Sequence, residues 1–169
     1  TKTYLNNIEL IYRHFPNKAA MKTSPWKFFN YRYGLRLFKN LVLLPWGPTG
    51  YVNPHLPVPM KKSTLAHLWD IEFDTLDKTS RNQLRDYKVD VNQYICQNWQ
   101  IESNQFYPIA HNIGKSIDLN RLDQLDRIFK DKHKKLLCVN DNVDFKEENL
   151  LRFKKFLDER YPEKSAFEL

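Results

Sequence analysis

Glycine is scarce in this chain, with four in 169 residues. Neither a phosphate-binding loop nor a dinucleotide fingerprint can be assembled from so few. Cysteine is scarcer still: Cys96 and Cys138 stand alone, outside any C-x-x-C pair. That argues against a disulfide framework and for a reducing compartment. The five histidines are scattered, without metal-ligand spacing or a His-Glu-x-x-His pattern. A Gly-x-Ser-x-Gly nucleophile elbow is also lacking. The longest apolar run, Leu41 to Leu44, is far too short to span a bilayer, and no secretory leader is visible. The expected setting is therefore the cytoplasm.

What is present is aromatic and basic. Aromatics make up 14% of the residues and apolar residues 41%, enough for a folded core. Net charge is +7, which favours an anionic partner: nucleic acid, a phosphorylated sugar or a membrane surface. A solvated basic face accounts for the same charge. The excess lies early, where Lys18, Lys22, Lys27, Arg32, Arg36 and Lys39 have no acidic residue between them.

Apolar spacing predicts a first helix over 5–15, with Leu5, Ile8, Ile11 (with Leu10), Tyr12 and Phe15 as its apolar positions and Pro16 as its stop. Ser24-Pro25 reads as an N-cap followed by proline at the first helical position. The next helix would run from Trp26 to Leu44, with Gly34 as a break and with Lys and Arg on its outer face. It reads either as a core-packing helix or as a membrane-surface amphipathic one. Pro45, Pro48, Pro54, Pro57 and Pro59 then forbid helix or central strand. The interleaved Trp46, Tyr51, Leu56 and Val58 point to a packed loop rather than a linker. Ser63 and Asp90 are expected to cap helices, and Thr79-Ser80 to start a short segment containing Arg85. The segments 106–110 and 115–119 could pair as strands around Asn112–Gly114. Asn120 would cap a helix through Phe129, and Lys134–Val139 reads as a buried strand. A capping box of Asp144 and Glu147 would open a last helix ending near Tyr161. The fold class is α+β, mostly helical with a few short strands. Residues 1–44 form a basic helical segment, read as one structural unit with 45–169.

Three places could carry chemistry. His55, held between Pro54 and Pro57, suits an acid, a base or a phosphate donor, or is simply a satisfied polar residue. Arg85 follows thirty residues later. Its fork suits bidentate grip on phosphate, or an ordinary ion pair. Asn140-Asp141-Asn142-Val143-Asp144 fails as a calcium loop, because Phe145 replaces the required glycine and Leu151 the required glutamate. It reads as a polar cluster between a strand end and a helix start, where ligands bind in α/β folds, or as turn chemistry.

PHLPVPMKKSTLAHLWDIEF with LDKTSRNQLRDYKVDVNQY resembles the third conserved region of the Stealth family, and CVNDNVDF with YPEKSAFEL resembles its fourth. LLPWGPTGYVNPHLP looks most like the bacterial members. The likeness runs from Leu43 to Leu169 and is weak between Ile109 and His133. It implies a sugar-1-phosphate transferase of capsule or cell-surface polysaccharide synthesis. The donor would be a UDP-sugar and the acceptor a polysaccharide or sugar hydroxyl. Family positions carry over to His55 and Arg85 as catalytic and to Asn140 and Asp141 as substrate-binding. A Mg2+ or Mn2+ ion is implied too, with ligands that this chain does not identify. The family's first two regions, which carry further carboxylates, are not found. The resemblance thus implies the C-terminal half of an enzyme, inactive alone, whose strands complete a Rossmann-like core. Nucleic acid is not an expected partner under this reading, and peripheral membrane contact stays open. The rival readings are a basic nucleic-acid-binding module and a non-catalytic membrane-docking fragment.

Overall fold

The computed structural model describes residues 2–15, 19–43, 51, 55–110, 112–141, 144 and 146–167. The expectations placed on Pro16, on Pro45, Trp46, Pro48 and Pro54, and on Asn142 and Phe145 lie outside those residues. Contacts divide the chain into two units, Thr1–Asn53 with Pro57–His111, and Pro54–Leu56 with Asn112–Leu169.

The first unit is helical. Its elements are α1 (Lys2–His14), α2 (Ala19–Thr23), α3 (Pro25–Phe28), a 3-10 helix (Tyr31–Arg36), α4 (Leu37–Leu43), α5 (Lys62–Ile71), α6 (Phe73–Arg81) and α7 (Tyr94–Glu102). Helix α1 forms where its apolar spacing places it, but the buried stripe is rotated. Thr3, Asn7, Leu10 and Ile11 face inward, whereas Leu5 is 61% exposed. The reason is a polar clamp: Asn7 Nδ2 donates to Asn92 Oδ1 at 2.7 Å, and Asn92 N donates to Asn7 Oδ1 at 3.1 Å. A buried amide satisfied in both directions is tolerated in a core. Leu10 and Ile11 join Leu68, Leu76, Val91, Ile95, Cys96 and Trp99 in one cluster. The Trp99 ring meets Phe15 edge-on at 4.6 Å and His14 at 5.0 Å.

Several local expectations change. The helix expected over 26–44 is broken twice. Asn30 turns extended and accepts from Arg32 N, and Gly34 takes φ 55°, ψ −137°. Side chains spaced for one continuous helix therefore do not form one buried face, and Trp26, Leu35, Phe38 and Leu41 are exposed. Helix α5 starts at Lys62, with Lys61 rather than Ser63 before it. Its start is set from α7, where buried Gln100 accepts from Lys61 N at 2.7 Å and donates to Pro59 O at 3.2 Å. Thr79-Ser80 closes α6 rather than opening a segment, and Asp90 lies four residues before α7.

The second unit holds β1 (Gly114–Asp118), a 3-10 helix (Leu119–Gln124), α8 (Leu125–Lys130), β2 (Leu136–Asn140) and α9 (Glu147–Arg160). The expected hairpin is absent. Residues 106–110 form no strand, and β1 pairs with β2 in parallel, Gly114 opposite Leu136 and Asp118 opposite Asn140. The helical connection between them is what parallel pairing requires. Ile117, Leu137 and Val139 on one sheet face join Leu119, Leu122, Leu125, Ile128, Phe153 and Phe156 in a second core. Gly114, Ser116, Cys138 and Asn140 lie on the other face, because side chains alternate along a strand. The strand expected to be buried is therefore only half-buried along its length. Asp118, not Asn120, caps the 3-10 helix by accepting from Asn120 N at 2.8 Å. Lys146, not Asp144, precedes α9, and no side-chain cap forms there. Among the described residues the sheet has two strands. The chain is thus α+β and mostly helical.

Candidate functional site

The second unit presents polar groups where β1 and β2 end together. Asn140 closes β2 and is half-buried. Its Nδ2 donates to Ser116 Oγ at 2.9 Å, and its Oδ1 accepts from Cys138 Sγ at 3.4 Å. Both ends of the amide are thereby fixed on the sheet face that the second core leaves uncovered. Asp141 follows, exposed. Beside Asn140 in the register stands Asp118, which turns the chain into the 3-10 helix. An open cavity of about 460 Å³ runs along β1 into the 3-10 helix, lined by Lys115 to Asp118 and by Asn120, Arg121 and Gln124; Asn140 and Asp141 are not part of its lining. Ligands of parallel α/β sheets bind beyond these strand ends. Carboxylate, amide and hydroxyl groups suit sugar hydroxyls, and the Arg121 fork suits a phosphate.

Of this cluster the sequence singled out only Asn140 and Asp141. Ser116, Asp118 and Arg121 carry no such signal while 115–119 pairs with 106–110 as a hairpin, because that pairing puts no strand end beside Asn140. Reading Ser116–Asp118 as a strand running into an Asx turn would have placed Asp118 at a strand end.

His55 is exposed and belongs to the same unit. Its neighbour Leu56 packs on Gly114, where an added Cβ would stand 2.6 Å from Leu56 Cδ1. That is the first residue of β1, whereas Asn140 lies level with its last. Four strand steps separate the two, about 13 Å along the sheet. The backbone at His55 and the Asn140 amide are therefore at opposite ends of the strands.

Arg85 belongs to the first unit. It is exposed and makes no ion pair among the described residues. The loop carrying it, 82–93, is fastened from three sides. Asp90, 3% exposed, accepts from Asn82 Nδ2 and from Asp86 N, each at 2.7 Å, so it brackets Arg85 on both sides. From α1, Asn6 Nδ2 donates to Asp90 O at 2.8 Å. From α6, the Thr79 hydroxyl accepts from Val91 N at 3.3 Å. A loop so held presents a side chain with little ordering left to do. Beneath it a second cavity, about 330 Å³, is lined by Arg13, Lys78 and Lys88 together with Glu9 and Asp74.

Among the described residues no group of three or more His, Cys, Asp or Glu side chains stands close enough to hold a metal ion. Asp118 and Asp141 alone do not complete a Mg2+ or Mn2+ site of the octahedral kind.

Comparison with known proteins gives a consistent relationship. The chain is 36% identical to a capsular polysaccharide phosphotransferase of Streptococcus pneumoniae over 174 aligned residues, 99% of this chain and 51% of that protein. It is 29% identical to an exopolysaccharide phosphotransferase of Lactiplantibacillus plantarum, over 96% of this chain and 49% of that protein. Over 77 residues it is 52% identical to a capsular polysaccharide phosphotransferase of Streptococcus thermophilus, 45% of this chain. The chain spans about half the length of the first two relatives. No protein-family model matches it, and no solved structure does.

Proposed function

We propose, for a chain that belongs with the capsular polysaccharide phosphotransferases in sequence, that it is the C-terminal part of a sugar-1-phosphate transferase. The carrying observation is that its likeness to these enzymes covers the whole chain rather than a shared motif. A UDP-sugar is the donor and a saccharide hydroxyl the acceptor. The acceptor oxygen attacks the phosphorus that bears the sugar. A new oxygen–phosphorus bond forms, the pyrophosphate bridge breaks, and UMP leaves with the bridging oxygen. The acceptor proton passes to a general base or to water.

The residues divide this work by chemistry. Arg85 grips the pyrophosphate, where its two parallel N–H groups match two phosphate oxygens and oppose the charge that grows as UMP departs. His55 contacts phosphate or exchanges the proton, since an imidazole nitrogen can donate to a phosphate oxygen or accept the acceptor's proton. Asn140 and Asp141 bind sugar hydroxyls, with Asn140 held in orientation by Ser116. The carboxylates needed to finish the donor site come from the family's first two regions, and so does the rest of the Rossmann-like sheet. The donor class places the reaction in the cytoplasm. The chain alone is inactive, and UMP released by it from any UDP-sugar would overturn that statement.

The test is UMP release by the complete transferase across a panel of UDP-sugars. Arg85→Lys keeps the charge and loses the fork, so turnover should fall on the order of 100-fold. Normal turnover in that variant rules out the role given to Arg85.

A further inference from the structure

The first unit carries a surface that the transferase reading does not use. From Leu10 to Trp69 the chain has nine Lys and Arg residues and no Asp or Glu. Within that stretch the break at Asn30 and Gly34 turns large apolar side chains outward. Leu35 is 84% exposed and Tyr31 79%, with Val42 and Phe38 close behind. Phe38, Leu41 and Val42 lie three and four apart on α4, one stripe of that helix. Beside them, Arg32 stacks over the Tyr107 ring at 5.0 Å and the Tyr31 ring at 5.8 Å, and Trp26 meets Tyr107 edge-on at 6.5 Å. Lys27, Arg32, Arg36 and Lys39 make no ion pair among the described residues.

We propose that this surface, Trp26 to Val42 with Tyr107, docks the protein on an anionic lipid bilayer. Trp and Tyr are the side chains that settle at a headgroup boundary, since each offers an apolar body and a polar tip. Exposed leucine, valine and phenylalanine reach the acyl boundary below, and cations at every turn meet the headgroup charge. Nucleic acid would use the arginines and aromatics but would leave Leu35, Leu41 and Val42 in water. A protein partner fits less well, because lysine is depleted from the core of protein–protein interfaces. The surface lies on short helices with exposed apolar side chains, so the contact proposed for it is interfacial; among the described residues no helix is long and apolar enough to cross a membrane.

Co-sedimentation tests the proposal. The chain is mixed with vesicles of equal parts phosphatidylglycerol and phosphatidylcholine, and separately with phosphatidylcholine alone. It should pellet with the first and stay largely in solution with the second, and added salt should release it. Arg32→Ser with Arg36→Ser and Lys39→Ser should lower partition on the order of 100-fold. Leu35→Ser with Phe38→Ser changes no charge and removes no core contact; it should lower partition at least about tenfold. Circular dichroism of both variants should match the parent. Equal pelleting with both vesicle types, or no pelleting with either, overturns the proposal. So does wild-type partition in the Leu35 and Phe38 variant, or retention on single-stranded RNA that vesicles fail to displace. None of these outcomes depends on turnover, so the lipid surface and the transferase reading stand or fall separately.

Discussion

Glu102 ends α7 at 4% exposure and accepts from the Tyr51 hydroxyl at 2.8 Å. Burial pushes its carboxyl above the ordinary range, and the tyrosine bond brings it only part of the way back. Burial and the Glu102 charge in turn push the Tyr51 hydroxyl upward. The folded chain therefore keeps the Glu102 proton to a higher pH than the unfolded chain does. Stability from this site is full below the unfolded carboxyl range and is lost as pH rises through the folded value. Glu102→Gln keeps an acceptor for Tyr51 and removes the titration. Thermal unfolding should show the variant more stable than the parent at neutral pH, with the gap closing as the pH falls into the ordinary carboxylate range. Asp90 is a buried carboxylate that accepts on both oxygens, from Asn82 Nδ2 on one and from Asp86 N on the other. Asp90→Ala strands the Asn82 amide and the Asp86 N–H, at a cost of about 3 kcal/mol in urea unfolding. It should also loosen the loop bearing Arg85, seen as faster amide exchange over 82–90.

At the scale of elements, two glycines set geometry that the neighbouring side chains cannot. Gly34 sits at φ 55°, ψ −137°, a region essentially closed to other residues. Gly34→Ala should cost roughly 1–3 kcal/mol, measurable by chemical denaturation. Gly114 has no such backbone need; it makes room. An alanine there would put its Cβ 2.6 Å from Leu56 Cδ1 and 3.1 Å from Leu136 Cβ. The end of the Leu56 side chain can swing aside, but the Leu136 Cβ is fixed to the paired strand, so Gly114→Ala should destabilise the second unit by about 1–2 kcal/mol. The same scale explains what the residues disclosed. Helix α7 was legible because Ile95 and Trp99 are both its apolar spacing and its packing, whereas α1 and α9 formed where their spacing placed them but expose Leu5, Leu150 and Leu151. The stretch 26–44 carries equally good periodicity, yet the Asn30 side-chain bond to Arg32 N and the Gly34 backbone override it. The partner of β1 could not be read locally, because Gly114 pairs with Leu136 across a helix rather than with a segment beside it in sequence. Of the candidate site, Asn140 and Asp141 stood out as a polar run after an apolar one. Ser116 and Asp118 became visible only once the parallel register was known.

For the molecule as a whole, the described residues form two separate cores. The first gathers eight buried residues around Trp99, the second five around Ile117 and Leu122. All four tryptophans precede residue 100, so indole fluorescence reports the first unit alone, while far-ultraviolet dichroism reports both. Urea unfolding should give transitions that do not coincide, with the dichroism signal falling first as the smaller core gives way. Leu68→Ala should lower the fluorescence midpoint, by about 2–5 kcal/mol of stability, and leave the earlier dichroism phase in place.

The parallel pair β1 and β2 has a further bearing on handling the protein. A strand bordered on one side only still offers a ladder of amide and carbonyl groups along the other. Among the described residues neither outer edge of the pair is bordered by a further strand, so in a concentrated sample edge-to-edge pairing of copies is the expected association. Light scattering should therefore rise with concentration faster than colloidal repulsion at net charge +7 would allow.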